Sequence, residues 1–372
     1  MTPLKVTCDS NILKKGFHLV ESVISSSNLK PILQNVKITA YDNRLELSTT
    51  DLEVSITYHI NPLNISVPGT IVCPEHKISS VVKEWKNNTI DLIENERVCE
   101  ITGKDGYFKI LCATPEDFPH IPNFIDEDFI EIDSQVFAEM IKKTMFIALA
   151  DKTKTASSGI FFDIDGNQAK MVTNDGRRLA EIKRKINNSK EQTKSCVIPI
   201  KSASQILKIL VEGEESVKVK IDEKRILIRT ENVTLSSQLI DGSYPNYEKV
   251  IPSDLNKTSV LNRAEFISAV RKGAIMTVED YKLLCFKFFN NMLEIKCLTP
   301  DVGEARLSME IEYTDEELEI GFNPDYILDF LRVVEDNQVQ FDLKDKGTAG
   351  IFRIGNQYQY MLMPLKLREI KK

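Results

Sequence analysis

Seven cysteines in 372 residues, none of them in a Cys-x-x-Cys arrangement, exclude the paired-thiol frameworks of zinc ribbons and thioredoxin-like centres. Their odd number and scatter fit a reducing compartment. The four histidines, His18, His59, His76 and His120, include no i, i+4 pair, so neither a metal site nor a cofactor is expected. Fifteen glycines supply no Gly-x-x-x-x-Gly-Lys loop, no Gly-x-Gly-x-x-Gly turn and no Gly-x-Ser-x-Gly elbow, which removes the common nucleotide-binding and hydrolase signatures. The longest apolar runs, such as Phe146-Ile147-Ala148-Leu149-Ala150, are too short for a bilayer, and Met1-Thr2-Pro3-Leu4-Lys5 carries no secretory leader pattern. A mean hydropathy of −0.20 with 42% hydrophobic residues fits a globular chain that stays in the cytoplasm, with no membrane partner. The acidic clusters Asp126-Glu127-Asp128 and Asp315-Glu316-Glu317 fall at turns or boundaries and read as solvated surface. Nothing here supplies a catalytic residue, and the chain reads as a binding or scaffolding protein rather than an enzyme.

What the sequence does contain is a repeat. Pro74, Pro199 and Pro324 stand 125 residues apart, and each opens a stretch with apolar residues at helical spacing. After Pro74 the stripe is Ile78, Val81, Val82 and Trp85; after Pro199 it is Ala203, Ile206, Leu207 and Leu210. In the third stretch it is Ile327, Phe330, Leu331 and Val334, shifted by 124 rather than 125, so one residue has slipped. Asp51, Asp175 and Asp301 form a second landmark, each after a strand-like run. An earlier helix in each copy forms a third: Leu13, Phe17, Val20 and Ile24; Phe137, Ile141 and Ala148; Phe266 and Val270, with an Asn262-x-x-Glu265 capping pair.

Between its two helices each copy alternates apolar and polar residues around turn formers: Tyr41 to Arg44, Asp165-Gly166-Asn167, and Asn290-Asn291. Two helices and six to eight strands are predicted per copy. The fold class is α+β, three repeated domains of two helices packed on antiparallel sheet, because no strand-helix-strand alternation runs through the chain. The expected domains are 1–127, 128–253 and 254–372, with breaks near Pro122 to Asp128 and Pro252 to Asn256. Three similar domains expose similar edges, a liability that ring closure removes.

Net charge is −7, yet the six predicted helices (10–24, 75–86, 134–149, 200–211, 262–276, 324–335) hold 13 Lys and Arg against 8 Asp and Glu. If the helices share a face, that face is mildly basic on an acidic body, suited to weak, salt-sensitive phosphate contacts. The plainer alternative is that these cations merely solvate outer helix faces.

Pro31-Ile32-Leu33-Gln34-Asn35-Val36, Thr49-Thr50-Asp51-Leu52-Glu53, Asn174-Asp175-Gly176-Arg177-Arg178-Leu179-Ala180, Asp241-Gly242-Ser243-Tyr244-Pro245-Asn246-Tyr247 and Met363-Pro364-Leu365-Lys366-Leu367 together resemble the bacterial sliding clamps, beta subunits of DNA polymerase III holoenzyme. The match runs in order over essentially the whole chain. The resemblance implies a processivity factor without catalytic activity: a head-to-tail homodimer ring of six domains, helices lining a hole around duplex DNA. It implies a partner-peptide pocket between the second and third domains, here Asn174, Gly176, Arg177, Arg178, Leu179, Pro245, Val250, Met361, Met363, Pro364, Leu365 and Lys366. The implied ligands are motifs of the DNA polymerase III catalytic subunit, the clamp loader and other clamp-motif proteins of repair and replication. Leu, Val, Met and Pro suit an apolar groove and Arg a charged rim, although the same segments also read as a hairpin turn and an edge strand.

The resemblance also implies a ring contact between Phe108 and Ile110 of one chain and Ile275 and Met276 of the next, for which core packing is the competing reading. It implies DNA contacts at Lys30, Lys152, Lys154, Lys201 and Lys249. Departures from the family pattern are Ser25 to Leu29 in place of an Arg before Pro31, Thr155 and Ala156 in place of loop aromatics, Arg177 in place of a His, and five extra residues, Arg368 to Lys372. Two rivals stay open: a clamp-like paralogue scaffolding repair enzymes, and an acidic α+β hydrolase using scattered carboxylates.

Overall fold

The computed structural model describes residues 4–24, 30–148, 158–188, 193–211, 215–279, 281–300 and 302–367. The first repeat contributes β1 (Lys5–Asp9), α1 (Ser10–Val20), β2 (Asn35–Ala40), β3 (Leu45–Thr50), β4 (Val54–Ile60), β5 (Asn64–Val67), β6 (Gly69–Pro74), α2 (Glu75–Glu84), β7 (Thr89–Asn95), β8 (Val98–Gly103) and β9 (Gly106–Leu111). The second contributes β10 (Ile130–Asp133), α3 (Ser134–Ala148), β11 (Ile160–Asp165), β12 (Gln168–Asn174), β13 (Arg178–Lys185), β14 (Lys194–Ile198), α4 (Ile200–Val211), β15 (Ser216–Ile221), β16 (Arg225–Arg229) and β17 (Val233–Gln238). The third contributes β18 (Lys257–Asn262), α5 (Arg263–Ala274), β19 (Leu284–Phe289), β20 (Met292–Thr299), β21 (Gly303–Glu310), β22 (Leu318–Phe322), α6 (Pro324–Val333), β23 (Gln338–Leu343), β24 (Gly350–Ile354) and β25 (Tyr358–Leu362). The predicted α+β repeat is present three times. The first copy exceeds the expected strand number because Pro68, which cannot donate to a ladder, stands between β5 and β6.

The slipped residue in the third stripe now has a cause. Pro74 is the N-cap of α2 and Pro199 directly precedes α4, whereas Pro324 sits inside α6 at its first turn. Counted from the helix start, Ile78, Ala203 and Ile327 all occupy the fourth position; the proline has moved, not the apolar stripe. Asp9, Asp133 and Asn262 cap the other three helices, each accepting backbone N–H bonds from the first turn. Helix α1 is shorter than predicted: Glu21–Val23 tightens into a 3₁₀ turn and Ile24 lies beyond it.

The Asp landmark is a conserved turn geometry within the chain. Asp51 Oδ1 accepts from the N–H groups of Glu53 and Val54, and Asp175 Oδ1 from those of Arg177 and Arg178. The next residue is left-handed in both, Leu52 at φ 79° and Gly176 at φ 80°. Asp301 lies outside the described residues. The predicted hairpin turns are also present, with Gly166 at φ 52° and Asn290 and Asn291 at φ 44° and 60°.

Two compact units divide the chain. The first (Met1–Ala138, Asn187–Ser189, Lys201–Leu239) holds a five-stranded sheet, β5-β1-β7-β8-β9, and an eight-stranded sheet, β10-β15-β16-β17-β4-β3-β2-β6. The second (Glu139–Ile186, Lys190–Ile200, Ile240–Lys372) holds an eight-stranded sheet, β14-β11-β12-β13-β25-β24-β23-β18, and a four-stranded sheet, β21-β20-β19-β22. All pairings are antiparallel. Each eight-stranded sheet is continuous across a junction between repeats, through β17 on β4 (Leu235 opposite Ile56) and β13 on β25 (Ala180 opposite Tyr360). Helices pack on the apolar faces; Gly16 of α1 is required there, because a Cβ would stand 2.7 Å from the Tyr58 ring. In the third repeat the core is aromatic, with Phe341 stacked on Phe352 at 3.8 Å and Phe330 on Tyr360 at 4.8 Å.

A left-handed leucine costs about 1–2 kcal/mol relative to a right-handed one, while glycine loses about 0.5–1 kcal/mol more chain entropy on folding. Leu52→Gly should therefore leave stability within about 1 kcal/mol of the parent. Gly176→Val, with open space around its Cβ, should lose about 1–2 kcal/mol from conformation alone. Chemical denaturation decides; a Leu52→Gly loss well above 2 kcal/mol would refute the equivalence of the two turns.

Candidate partner pocket

The side chains of a strand alternate between faces, and the packing of β25 fixes which is which. Tyr360 meets Phe146 of α3 at 5.8 Å, so its neighbour Met361 lies on the sheet face away from that helix. There Met361 joins Val172, Leu179, Tyr247, Ala349 and Ile351 in a buried cluster, with Phe161, Tyr244, Ile251 and Leu255 packed against it. Tyr244 stacks on Phe161 at 5.0 Å and Tyr247 meets Tyr244 edge-on at 6.3 Å, which pins the segment after β17 to the sheet. Burial pushes both phenols up, Tyr244 to about 12, so both stay protonated.

Around this floor stand exposed apolar side chains: Val250 at 58%, Met363 at 43% and Leu365 at 39%. The chain after β25 is fixed by two main-chain bonds, Met363 N–H to the Arg177 carbonyl and Leu365 N–H to the Gly321 carbonyl, both 2.8 Å. Gly321 permits the second, since a Cβ there would meet the Leu365 oxygen at 2.7 Å. The turn at Asn174 to Arg177 is held by Asp175 and by the Asn174 side chain accepting from Gly176 N–H. The result is a candidate groove, an apolar cluster bordered by exposed apolar side chains and by an exposed Arg177, whose guanidinium is held up in pKa by the Tyr326 hydroxyl beside it.

Two sheet edges also carry exposed apolar side chains. Among the described residues strand β9 pairs only with β8, and β21 only with β20. Beside β9, Phe108 is 43% exposed and Leu111 79%; near β21, Ile275 is 72% exposed and Val302 51%.

Family models for the N-terminal, central and C-terminal domains of the DNA polymerase III beta subunit match residues 4–122, 131–246 and 248–366. The chain belongs to the DNA polymerase III beta-subunit family. It is a DNA sliding clamp for the replicative polymerase, a non-catalytic processivity factor. The beta sliding clamp of Chlamydia muridarum is 28% identical over 360 residues, covering 96% of this chain and 97% of the relative, and that of Pseudomonas aeruginosa is 26% identical over 97% and 99%. The crystal structure of the P. aeruginosa beta subunit superimposes with a TM-score of 0.92 at 26% identity, covering 97% of this chain and all of that one. The Bacillus subtilis clamp structure, at 24% identity over 98% of this chain and all of that one, agrees in fold with a TM-score of 0.94.

Within this sliding clamp the second unit holds all of the expected pocket positions: Leu179 and Met361 share one cluster, Met363 is bonded to Arg177, Gly176 to the Asn174 side chain and Leu365 to Gly321, while Val250 is exposed and Pro245, Pro364 and Lys366 lie in the flanking segments. Arg178 is a correction. It is 2% exposed, with Nε 3.0 Å from Asp175, Nη1 2.8 Å from Asp329 and its guanidinium 4.2 Å over Tyr326, so it is internal structure and has no surface for a peptide. Sequence reading also missed the floor: Phe161, Val172, Tyr244, Tyr247, Ala349 and Ile351 are ordinary strand and turn residues whose shared cluster appears only once the strands are ordered.

The DNA positions fare unevenly. Lys152 and Lys154 lie outside the described residues. Lys30 is exposed, Lys201 is ion-paired with Asp51, and Lys249 sits in the 3₁₀ turn Glu248–Val250 beside Tyr247, on the groove side of the sheet and away from the helices. Of the four ring-contact residues Phe108 and Ile275 are exposed, Met276 is half-buried and Ile110 is buried within its own chain at 8%.

Removing one partner of an enclosed ion pair leaves the other uncompensated, typically at 3–5 kcal/mol when both are buried. Asp329 keeps some solvent, so Arg178→Met should destabilise the second unit by about 2–3 kcal/mol in denaturant while the folded fraction keeps its peptide affinity. A variant of parental stability that no longer binds would return Arg178 to the pocket.

Proposed function

We propose that two copies of this chain close head to tail around duplex DNA. The observation carrying this reading is the order of the junction strands. By the repeat, β4, β13 and β21 are equivalent, and so are β17, β25 and β9. The chain forms the pair twice, β4 on β17 and β13 on β25. The third pair would be β21 of one chain on β9 of another, and among the described residues each of those strands lacks a neighbour on one side, with apolar groups exposed on or near it. Phe108 and Ile275, with Met276, would be covered by that contact; Ile110 supports it from the core. Domain limits at 127/128 and 253/254 fit this scheme, lying in the irregular segments between β9 and β10 and between β17 and β18.

The groove in the second unit fits short, partly apolar peptide segments, taken from the polymerase III catalytic subunit, the clamp loader and other replication and repair proteins. Arg177 and Lys366 at its rim favour acidic residues beside the apolar anchors. Linkage rather than adhesion then retains the duplex, and a tethered polymerase meets its template at high effective concentration. These roles put the chain in the cytoplasm; among the described residues no helix is long and apolar enough to cross a membrane.

Three expectations test the scheme. Ile275→Glu combined with Phe108→Glu should convert the dimer to a folded monomer by light scattering, and persistence of the dimer would refute the junction argument. Met363→Ala with Leu365→Ala should weaken a clamp-binding peptide at least about tenfold, some 1.4 kcal/mol; unchanged affinity in a folded protein would remove both from the site. Among the described residues the helix cations Lys77, Lys142, Lys208, Arg271 and Lys272 are exposed. Neutralising Lys142, Lys208, Arg271 and Lys272 together should lower the slope of log affinity for DNA against log salt by up to about 0.9 per lost phosphate contact; an unaltered slope would place DNA elsewhere.

A further inference from the structure

We propose that Cys112 and Cys73 are a peroxide-reactive pair that closes into a reversible intrachain disulfide. The two sulfurs stand 3.3 Å apart on segments brought together by the isolated bridge between Val72 and Ala113, whose main-chain bond, Ala113 N–H to Val72 carbonyl, is 2.8 Å. One step along that antiparallel pair, residues 73 and 112 face each other, the register in which Cα separations of about 4.5–5.5 Å match those of a cross-strand disulfide.

The two thiols are chemically unequal. Cys112 is partly exposed, and Cys73 is fully buried in β6. The two thiols share a hydrogen bond that either can donate; contact with Cys73, and with the Cys99 N–H, holds the Cys112 thiol below its ordinary range despite partial burial. Other thiols are disfavoured as nucleophiles. Burial pushes Cys8 and Cys196 up to about 12, and burial with the Glu319 carboxylate does the same to Cys285. Cys99, in β8 opposite Ile110, also brings its thiol beside Cys73, but it is fully buried and lacks the solvent access of Cys112.

The chemistry balances with hydrogen peroxide as the oxidant. The Cys112 thiolate attacks one peroxide oxygen, an S–O bond forms, the O–O bond breaks, and the departing hydroxide takes a proton to give water and a sulfenic acid. Cys73 then gives up its proton as its sulfur attacks that of Cys112; the S–S bond forms, the S–O bond breaks, and a second water leaves. Two thiols are oxidised and one peroxide is reduced to two waters. A dithiol reductant reverses the bond by exchange. The bond would tie the segment directly after β9, the edge strand of the five-stranded sheet, to β6, the edge of the neighbouring eight-stranded sheet.

The test is thiol counting and peptide mapping on the full-length protein, fully reduced and then given peroxide in equimolar and tenfold amounts. Two of the seven thiols should disappear, and mass spectrometry should find one Cys73–Cys112 linkage within a single chain. Cys112→Ser should abolish the loss, Cys73→Ser should leave a sulfenic acid at Cys112 trappable by dimedone, and Cys99→Ser should react like the parent. Circular dichroism confirms that each variant is folded. Retention of all seven thiols at tenfold peroxide, first modification at Cys285 or Cys99, or a bond between chains would each overturn the assignment. The readout is independent of ring closure, so either reading can fail alone.

Discussion

Backbone pairing across the repeat junctions is the constraint on which the rest of the molecule depends. A module of two helices on antiparallel strands cannot by itself satisfy the N–H and C=O groups of its outermost strands, and an exposed edge is a template for another strand. Here β17 lies on β4 and β25 on β13 in unbroken register, from Val233 opposite Tyr58 to Ser237 opposite Val54, and from Arg178 opposite Leu362 to Ile182 opposite Tyr358. The sheet therefore outgrows the repeat. Main-chain pairing of this kind is insensitive to side-chain identity, which explains how the fold persists at 26% identity to the P. aeruginosa subunit with a TM-score of 0.92.

The groove is a by-product of the same pairing. Because β25 continues the sheet beyond β13, residues of the second and third repeats become neighbours on one face: Leu179 and Val172 from one side, Met361, Ile351 and Ala349 from the other. The segment joining the repeats is drawn over that face by Tyr244 and Tyr247, and the tail is laid along it by the bonds to Arg177 and Gly321. Arg178 holds this junction from beneath, linking the turn at Asp175 to Asp329 of α6. A flexible thioether at Met363 over a rigid aromatic and aliphatic floor suits ligands of varied sequence, because methionine adapts its shape at little cost.

How far the sequence could be read follows from which features are local. Helices, hairpin turns and the repeat are written in spacing and turn residues, so the stripes at Ile78, Ala203 and Ile327 and the turns at Asn290-Asn291 and Gly166 are found where expected. Ends were less legible: nothing in Glu21 to Ile24 marks the change to a 3₁₀ turn. The site was half legible. Its rim could be carried over from family motifs, but its floor is made by residues far apart in the chain. The distinction between Arg177 and Arg178 depends on strand alternation at a turn, which adjacent identical residues conceal. Lys249, implied by the resemblance as a DNA contact, follows Tyr247, whose ring is packed into the cluster on the groove side of the sheet.

The same non-local accounting changes the meaning of the helix charge. Thirteen cations against eight acids across six predicted helices suggest a mildly basic surface, yet many of those cations are already engaged. Lys83 pairs with Glu21, Lys143 with Glu139, Lys201 with Asp51 and Arg332 with Asp329, while Lys14 and Arg263 bond the carbonyls of Trp85 and Leu331. Others, such as Lys142, Lys208, Arg271 and Lys272, stay exposed on an acidic protein. Each phosphate contact releases counterions and so weakens with salt, and a handful of them cannot give tight, lasting adhesion. A protein that held DNA by affinity would keep its cations free. One that encircles DNA has no such need, and internal neutralisation of the helices lowers the friction that every additional phosphate contact would add to sliding.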